Sequence, residues 1–101
     1  MRIAYIAGPY RSKTISGIRA NIEHARKYAE KYWRAGFAVI CPHLNSALMD
    51  GIVPDKSFLE GDIAILERCD FIVMVPGWTE SKGAKNELEA ARAAGLDIVY
   101  E

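Results

Sequence analysis

The sequence has no excess of charge of either sign, only two cysteines and no long apolar run. Its thirteen basic and thirteen acidic residues cancel, so the composition favours neither polymeric nucleic acid nor an anionic membrane as a partner. It contains no apolar run long enough to span a bilayer. The two cysteines, Cys41 and Cys69, form no CxxC or Cys/His pattern, so neither a disulfide framework nor a metal site is expected.

The N-terminal end also lacks the charged and then apolar segment of a signal peptide, because the residues after Met1 read at once as a strand. We therefore expect a cytoplasmic protein. Its 101 residues suffice for one hydrophobic core and are too few for two. We expect a single domain over residues 1–101.

Strand-like and helix-like segments alternate along the chain. Short apolar runs predict strands, and apolar residues at helical spacing predict amphipathic helices between them. The predicted strands cover residues 2–7, 37–41, 71–75 and 97–100, and the predicted helices cover residues 17–35, 55–68 and 83–94, with Asp55 or Ser57 as the cap of the second helix. This order predicts an α/β three-layer sandwich, with helices on both faces of a short parallel sheet of four or five strands.

Three loops follow predicted strands at the edge of the sheet where ligands usually bind, beyond the carboxyl ends of the strands. They cover residues 8–17, 42–54 and 76–82. The first loop carries glycine, hydroxyl groups and cations, so its backbone amides and the helix N-terminus beyond are suited to an anion. It is neither GxGxxG nor GxxxxGKS/T, which excludes the dinucleotide-binding and P-loop motifs. A solvated surface loop is the alternative interpretation.

Two carboxylates border the apolar faces of predicted helices. Asp62 lies four residues from both Phe58 and Leu66, and Glu87 lies four residues before Ala91. A carboxylate in such a place loses hydration unless it is paired or lines a cavity. Taken singly, Asp62 is equally explained by water or an arginine nearby, and Glu87 by the positive end of its helix. Together they match the pair of carboxylates that glycosidic cleavage uses.

Aromatic and histidine side chains fall in or near the same loops. Trp78 either stacks on a base or packs over the edge of the core. His43 either serves the site or makes a local hydrogen bond. We expect Tyr5 to be a core residue with its hydroxyl near the first loop.

Three segments resemble, in order, the signatures of the nucleoside 2-deoxyribosyltransferase-like proteins. The segment Tyr5–Tyr10 is similar to their opening strand and turn, and Asp62–Leu66 with the strand after it is similar to their second signature. The segment Ser81–Leu88 matches the third, a Ser-x-Gly followed four residues after the glycine by a glutamate. The small phage and bacterial proteins of this superfamily, together with the 2′-deoxynucleoside 5′-monophosphate N-hydrolases, are the relatives it resembles.

The resemblance implies a flavodoxin-like, Rossmann-like sheet and an active site that faces a symmetry-related subunit, hence a homodimer or larger homo-oligomer. It implies that Glu87 attacks C1′ of the deoxyribose and that Asp62 positions the sugar or the glutamate and assists proton transfer to the base. Tyr5 is implied to lie near that glutamate. Gly8 and Ser81 are implied to contact the sugar or, in the monophosphate hydrolases, the phosphate. No metal and no organic cofactor is needed.

We expect further contacts to a small nucleoside or nucleotide from the three loops and the helices that follow them. The cationic first loop favours a phosphorylated substrate. The remaining predicted substrate-binding residues are Pro9, Tyr10, Arg11, Ser12, Arg19, His43, Trp78 and Gly83.

Two function hypotheses follow. The first is an N-glycosidase or deoxyribosyltransferase that uses Glu87 as its nucleophile. The second is a non-catalytic nucleotide-binding or sequestering domain, because this sequence ends at its last predicted strand, whereas the characterised enzymes continue with residues that complete a neighbour's pocket. A receiver-type interaction module is disfavoured, since the first strand ends in Ala7-Gly8-Pro9 and not in the acidic cluster that a Mg²⁺-dependent phosphoacceptor needs.

Overall fold

Strands and helices alternate in the order that the sequence predicts. The computed structural model describes residues 1–101. The strands are β1 (Ile3–Ala7), β2 (Ala38–Ile40), β3 (Phe71–Met74) and β4 (Asp97–Tyr100), and the helices are α1 (Ile15–Arg34), α2 (Pro42–Asn45), α3 (Asp55–Leu66) and α4 (Lys82–Ala93). None of the helices is both long enough and apolar enough to cross a membrane.

The four strands form one parallel sheet in the order β2-β1-β3-β4. At its centre, Tyr5 of β1 is paired with Ile40 of β2 on one side and with Ile72 of β3 on the other. The chain runs outward from β1 to β2 and then crosses back to β3, so the winding reverses between β1 and β3. This is the flavodoxin-like order, in which ligands bind beyond the carboxyl ends of the strands at the reversal. The predicted parallel α/β sheet is confirmed.

The alternation of side chains along the strands divides the core into two halves. On β1, Ala4 and Ile6 pack with the buried residues of α1, whereas Tyr5 and Ala7 pack with those of α3 and α4. Helices therefore cover both faces of the sheet, as predicted. Because β3 is enclosed from both sides, all four of its residues are buried, and it reads in sequence as an unbroken apolar run.

The first helix starts earlier than its apolar pattern indicates. The Thr14 hydroxyl accepts a hydrogen bond from the Gly17 amide at 3.0 Å and so caps α1. A capping residue satisfies the first free amides, and the helix begins at Ile15 in place of the predicted residue 17.

The second predicted helix is capped by neither of the two expected residues. Pro54 precedes it and α3 begins at Asp55, so Asp55 and Ser57 both lie within its first turn. Two short turns also went unpredicted: α2, which has Pro42 in its first turn, and a single 3₁₀ turn over Trp78–Glu80. Both are too short to show a helical hydrophobic period.

A glycine lets the ends of β1 and β3 approach each other. A β-carbon at Gly8 would lie 2.2 Å from Cγ2 of Val75, which is far inside normal contact. Val75 is itself completely buried. The first loop therefore leaves the sheet in direct contact with the side chain of Val75, the residue after β3.

We expect Gly8→Ala to lower the free energy of unfolding by about 1–3 kcal/mol, because the Val75 side chain has to move within a packed core. Gly61→Ala is the matched control. Gly61 is a helical residue of α3 with nothing within 4 Å of its β-carbon position, so alanine there is expected to stabilise the protein by up to about 1 kcal/mol. Chemical denaturation measures both changes. A Gly8→Ala protein as stable as the wild type would contradict this packing.

Candidate active site

A cleft between α3 and α4 holds the two carboxylates that the sequence singles out. It has a volume of about 300 Å³. Its lining residues recur three or four positions apart on each helix, which places them on one face of each. They are Leu59, Glu60, Asp62, Ile63, Gly83, Asn86 and Glu87. The two helices thus bring three predicted site residues together, Asp62, Gly83 and Glu87.

The Glu87 carboxylate is held by a side chain from the centre of the sheet. The Tyr5 hydroxyl donates a hydrogen bond to Oε2 of Glu87. The tyrosine ring is completely buried, on the face of β1 that α3 and α4 cover. Since the ring has no room to move in a packed core, it fixes the position of the carboxylate. The expected place of the Tyr5 hydroxyl, near the glutamate, agrees with this geometry.

Burial changes the acidity of all three groups. It raises the pKa of Glu87 to about 7, and the negative charge of Asp62 adds to the rise, while the hydrogen bond from Tyr5 opposes it. Burial also raises the pKa of Asp62. Burial and then the charge of Glu87 raise the pKa of Tyr5, so its hydroxyl stays protonated and remains a donor. Near neutral pH the Glu87 carboxyl is therefore populated in both its ionised and its protonated form.

The three loops after the strands meet at the same edge of the sheet. His43 of α2 lies with Nε2 2.8 Å from the carbonyl oxygen of Pro9 in the first loop. In the third loop, a β-carbon on Gly77 would lie 3.1 Å from Cγ of Pro9. His24 of α1 holds that third loop through the Pro76 carbonyl oxygen, 2.9 Å from its Nε2. Histidine side chains from α1 and α2 thus bind the backbones of the first and third loops.

The cationic residues of the first loop do not line the cleft. Arg11 forms a salt bridge with Asp55 at the surface, and Arg19 is exposed. The Ser12 hydroxyl occupies the space that a side chain at Gly17 would fill. The structure therefore places these predicted phosphate contacts around the start of α1, apart from the two carboxylates.

The other predicted substrate contacts also lie outside the cleft lining. Trp78 packs on Tyr100, with ring centroids 5.8 Å apart, at the edge of the core. Tyr10 lies edge-on against His43 at 5.6 Å. The Ser81 hydroxyl caps α4 by accepting a hydrogen bond from the Ala84 amide at 3.1 Å.

Four lining residues were missed by the sequence analysis, although a local signal for them exists. Leu59 lies three residues before Asp62, and Ile63 lies four residues after Leu59. On the other helix, Asn86 lies three residues after Gly83. Positions three or four apart on a helix face the same way, so the faces that carry the carboxylates also specify their neighbours. Glu60, the residue after Leu59, also lines the cleft from α3. No set of three histidine, cysteine, aspartate or glutamate side chains is arranged to hold a metal ion.

Comparison with solved structures gives the class to which this fold belongs. The chain superposes on a 2-desoxiribosyltransferase from Leishmania mexicana with a TM-score of 0.68 and 18% identity, covering 99% of this chain and 63% of that one. It superposes on a 2-deoxyribosyltransferase from Bacillus psychrosaccharolyticus with a TM-score of 0.71 and 16% identity, covering 97% and 70%. It superposes on a conserved protein from Enterococcus faecalis V583 with a TM-score of 0.75 and 24% identity, covering 99% of this chain and 62% of that one. The fold is that of the 2-deoxyribosyltransferases.

A match to a family model identifies the sequence family of the chain. The chain belongs to the DUF4406 family, described as a domain of unknown function, whose model matches residues 2–100. No curated protein sequence matches it significantly. The chain spans 63% and 62% of the lengths of the Leishmania and Enterococcus structures. The resemblance inferred from the three sequence signatures is therefore confirmed for the fold.

We expect the two neighbours of Glu87 to shift its pKa in opposite directions. Tyr5→Phe removes the hydrogen bond that stabilises the carboxylate, so the pKa of Glu87 should rise above its wild-type value of about 7. Asp62→Asn removes a like charge, so the pKa should fall. A ¹³C NMR titration of the glutamate carboxyls measures both shifts, with the exposed Glu89 on the same helix as internal control. A wild-type Glu87 whose pKa is not raised above the ordinary range of a glutamate would contradict the burial described here.

Proposed function

We propose that this chain cleaves the N-glycosidic bond of a nucleoside or nucleotide, with Glu87 as the nucleophile. One observation carries the proposal: a half-buried glutamate lies in a cleft, is held by the Tyr5 hydroxyl, and lies with a second carboxylate, that of Asp62. Nucleophilic carboxylates of this kind act on sugars by forming a covalent glycosyl intermediate. The fold shared with two proteins described as 2-deoxyribosyltransferases supports the same chemistry.

The reaction proceeds in two displacements at C1′ of the sugar. An oxygen of the ionised Glu87 forms a bond to C1′ while the bond from C1′ to the base nitrogen breaks, and the bonding pair leaves with the base, which takes up a proton. Water then attacks C1′, the ester to Glu87 breaks, and its electron pair returns to the carboxylate as the water gives up a proton. A second base in place of water would make the protein a transferase.

Asp62 and Tyr5 have separate tasks in this scheme. Asp62 lines the same cleft as Glu87 and relays the proton that the base takes up and the water later releases. The charge of Asp62 also adds to the rise in the pKa of Glu87, so a protonated Asp62 favours the ionised nucleophile. Tyr5 keeps the attacking oxygen in place and favours its ionised form through a hydrogen bond.

Binding without turnover is the second candidate function, and one observation favours it. With a pKa of about 7, Glu87 is partly protonated near neutral pH, and a protonated carboxyl does not attack C1′. Saturable binding of a nucleotide with no release of base over hours would support this function. Base release that depends on Glu87 would exclude it.

We expect Glu87→Gln to lower base release by at least about 1,000-fold, because no carboxylate remains to attack C1′. Free base is measured by chromatography on deoxy- and ribonucleosides and their 5′-monophosphates, each with and without a second base. Glu89→Gln, an exposed change two residues along the same helix, is the matched control and should keep wild-type activity. In the wild type, kcat/KM should rise with pH through about 7, because the nucleophile must be ionised.

Either of two results would contradict the assignment of Glu87. One is base release by Glu87→Gln at the wild-type rate. The other is a rate that falls as the pH rises through this range, since that would require the protonated carboxyl.

Exposed apolar side chains are concentrated in and around the segment between α2 and α3. Leu48 is fully exposed and Ile52 is 67% exposed. Leu59 of α3, which lines the cleft, is 55% exposed. The large exposed apolar side chains of residues 44–59 are Leu44, Leu48, Met49, Ile52, Val53 and Leu59. An apolar patch of this kind is typical of a protein interface, and it supports a homodimer or larger homo-oligomer in which a second copy covers the cleft.

We expect Ile52→Glu to dissociate the oligomer, because it places a charge in the proposed contact. Light scattering during size-exclusion chromatography gives the mass, and thermal melting of the variant is expected to show an intact fold, since Ile52 makes no core contact. Lys85→Glu, an exposed change on α4, is the control for an added negative charge. A monomeric wild type at micromolar concentration would contradict the proposed assembly.

A further inference from the structure

His43 is a buried histidine that the proposed chemistry does not use. Only 6% of its surface is exposed. It lies in α2, immediately after the edge strand β2, and its Nε2 lies 2.8 Å from the carbonyl oxygen of Pro9. Its other ring nitrogen, Nδ1, is buried and has no hydrogen-bond partner. A buried polar side chain with one bond made and one atom unpaired calls for a physical explanation.

The hydrogen bond determines which tautomer the ring adopts. The carbonyl oxygen of Pro9 only accepts, so the proton of the neutral ring lies on Nε2. The buried Nδ1 is then a lone pair, since a proton there would add an N–H without an acceptor and a charge without hydration. Burial lowers the pKa of His43, and His24 adds to this, while the Pro9 and Gly8 carbonyls oppose it. The ring is therefore a fixed neutral donor.

This donor holds the turn that follows β1. On one side, the ring of Tyr10 packs edge-on against His43 at 5.6 Å. On the other side, Pro9 lies close to Gly77, where a β-carbon would lie 3.1 Å from Cγ of Pro9, so the missing side chain leaves room for the contact. The turn is thus clamped between α2 and the loop that leads to α4. The turn follows the strand that carries Tyr5, and the loop that Pro9 contacts leads to the helix that carries Glu87.

We propose that His43 is a positioning residue, which fixes the Gly8–Tyr10 turn, directly after the strand that carries Tyr5, through the Pro9 carbonyl. This inference rests on the proposed function insofar as the turn contacts the substrate. His43 acts on this turn through its hydrogen bond to the Pro9 carbonyl. It supplies a donor that water cannot replace, because the bond is enclosed.

The test compares two substitutions at this position. His43→Phe keeps the ring volume and leaves the Pro9 carbonyl unpaired, so KM for the best substrate should rise about tenfold with kcat within about twofold of the wild type. His43→Gln restores a donor and should recover most of that loss. Val99→Ala, a partly buried position on β4, is the control for a general loss of stability. Amide hydrogen exchange at Val75, which donates to the Ala7 carbonyl just before the turn at 2.9 Å, should accelerate in His43→Phe and not in His43→Gln.

Several results would overturn the inference. A folded His43→Phe protein with unchanged KM and unchanged exchange at Val75 is one, and equal impairment of the Phe and Gln variants is another. If His43→Phe fails to fold, ¹⁵N NMR of the wild-type ring decides: an Nε2–H tautomer supports the inference and an Nδ1–H tautomer refutes it. If the wild type releases no base, the proposed function fails. The exchange and tautomer measurements still test whether the hydrogen bond from His43 to the Pro9 carbonyl fixes the turn.

Discussion

The candidate site depends on one buried interaction, the hydrogen bond from Tyr5 to Glu87. A carboxylate on the inner face of a helix loses most of its hydration, and this loss raises the pKa of Glu87 to about 7. A single hydroxyl from the centre of the sheet compensates part of the cost and fixes the oxygen in space. The result is a poorly hydrated carboxyl that is populated in both its ionised and its protonated form near neutral pH, and the ionised form is what the proposed role of Glu87 as nucleophile requires. Burial in the cleft and the charge of Asp62 set the pKa of Glu87, and the buried strand β1 holds the Tyr5 hydroxyl in place.

The sheet explains why that contact forms where it does. The reversal of winding between β1 and β3 leaves the carboxyl ends of two adjacent strands free of any crossover, and the loops after them meet there. Close approach of Gly8 to Val75 and of Gly77 to Pro9 brings these loops into direct contact. His43 then ties the first loop to α2. The rigidity of this edge is a property of backbone contacts as much as of side chains.

The two carboxylates can be recognised in the sequence because each places a charge beside the apolar face of a helix. Asp62 and Glu87 border apolar faces of helices, and such anomalies are visible without a structure. The same reasoning left Trp78 and His43 undecided between a site and a local role, since a single aromatic or histidine in a loop has no period to interpret. In the structure, Trp78 packs against Tyr100 and His43 bonds to the backbone. The apolar wall of the cleft was missed because Leu59 reads as an ordinary core residue.

The sequence by itself determined the order of strands and helices, the parallel sheet, and the faces on which the two carboxylates lie. These properties follow from hydrophobic periodicity, which is a local property of the chain. Only the tertiary structure decided that Tyr5 and Glu87, 82 positions apart, share a hydrogen bond. It alone decided that His43 is enclosed with one nitrogen unpaired. Such contacts depend on how helices pack across a sheet, and packing is set by the shapes of many side chains together and not by any one segment.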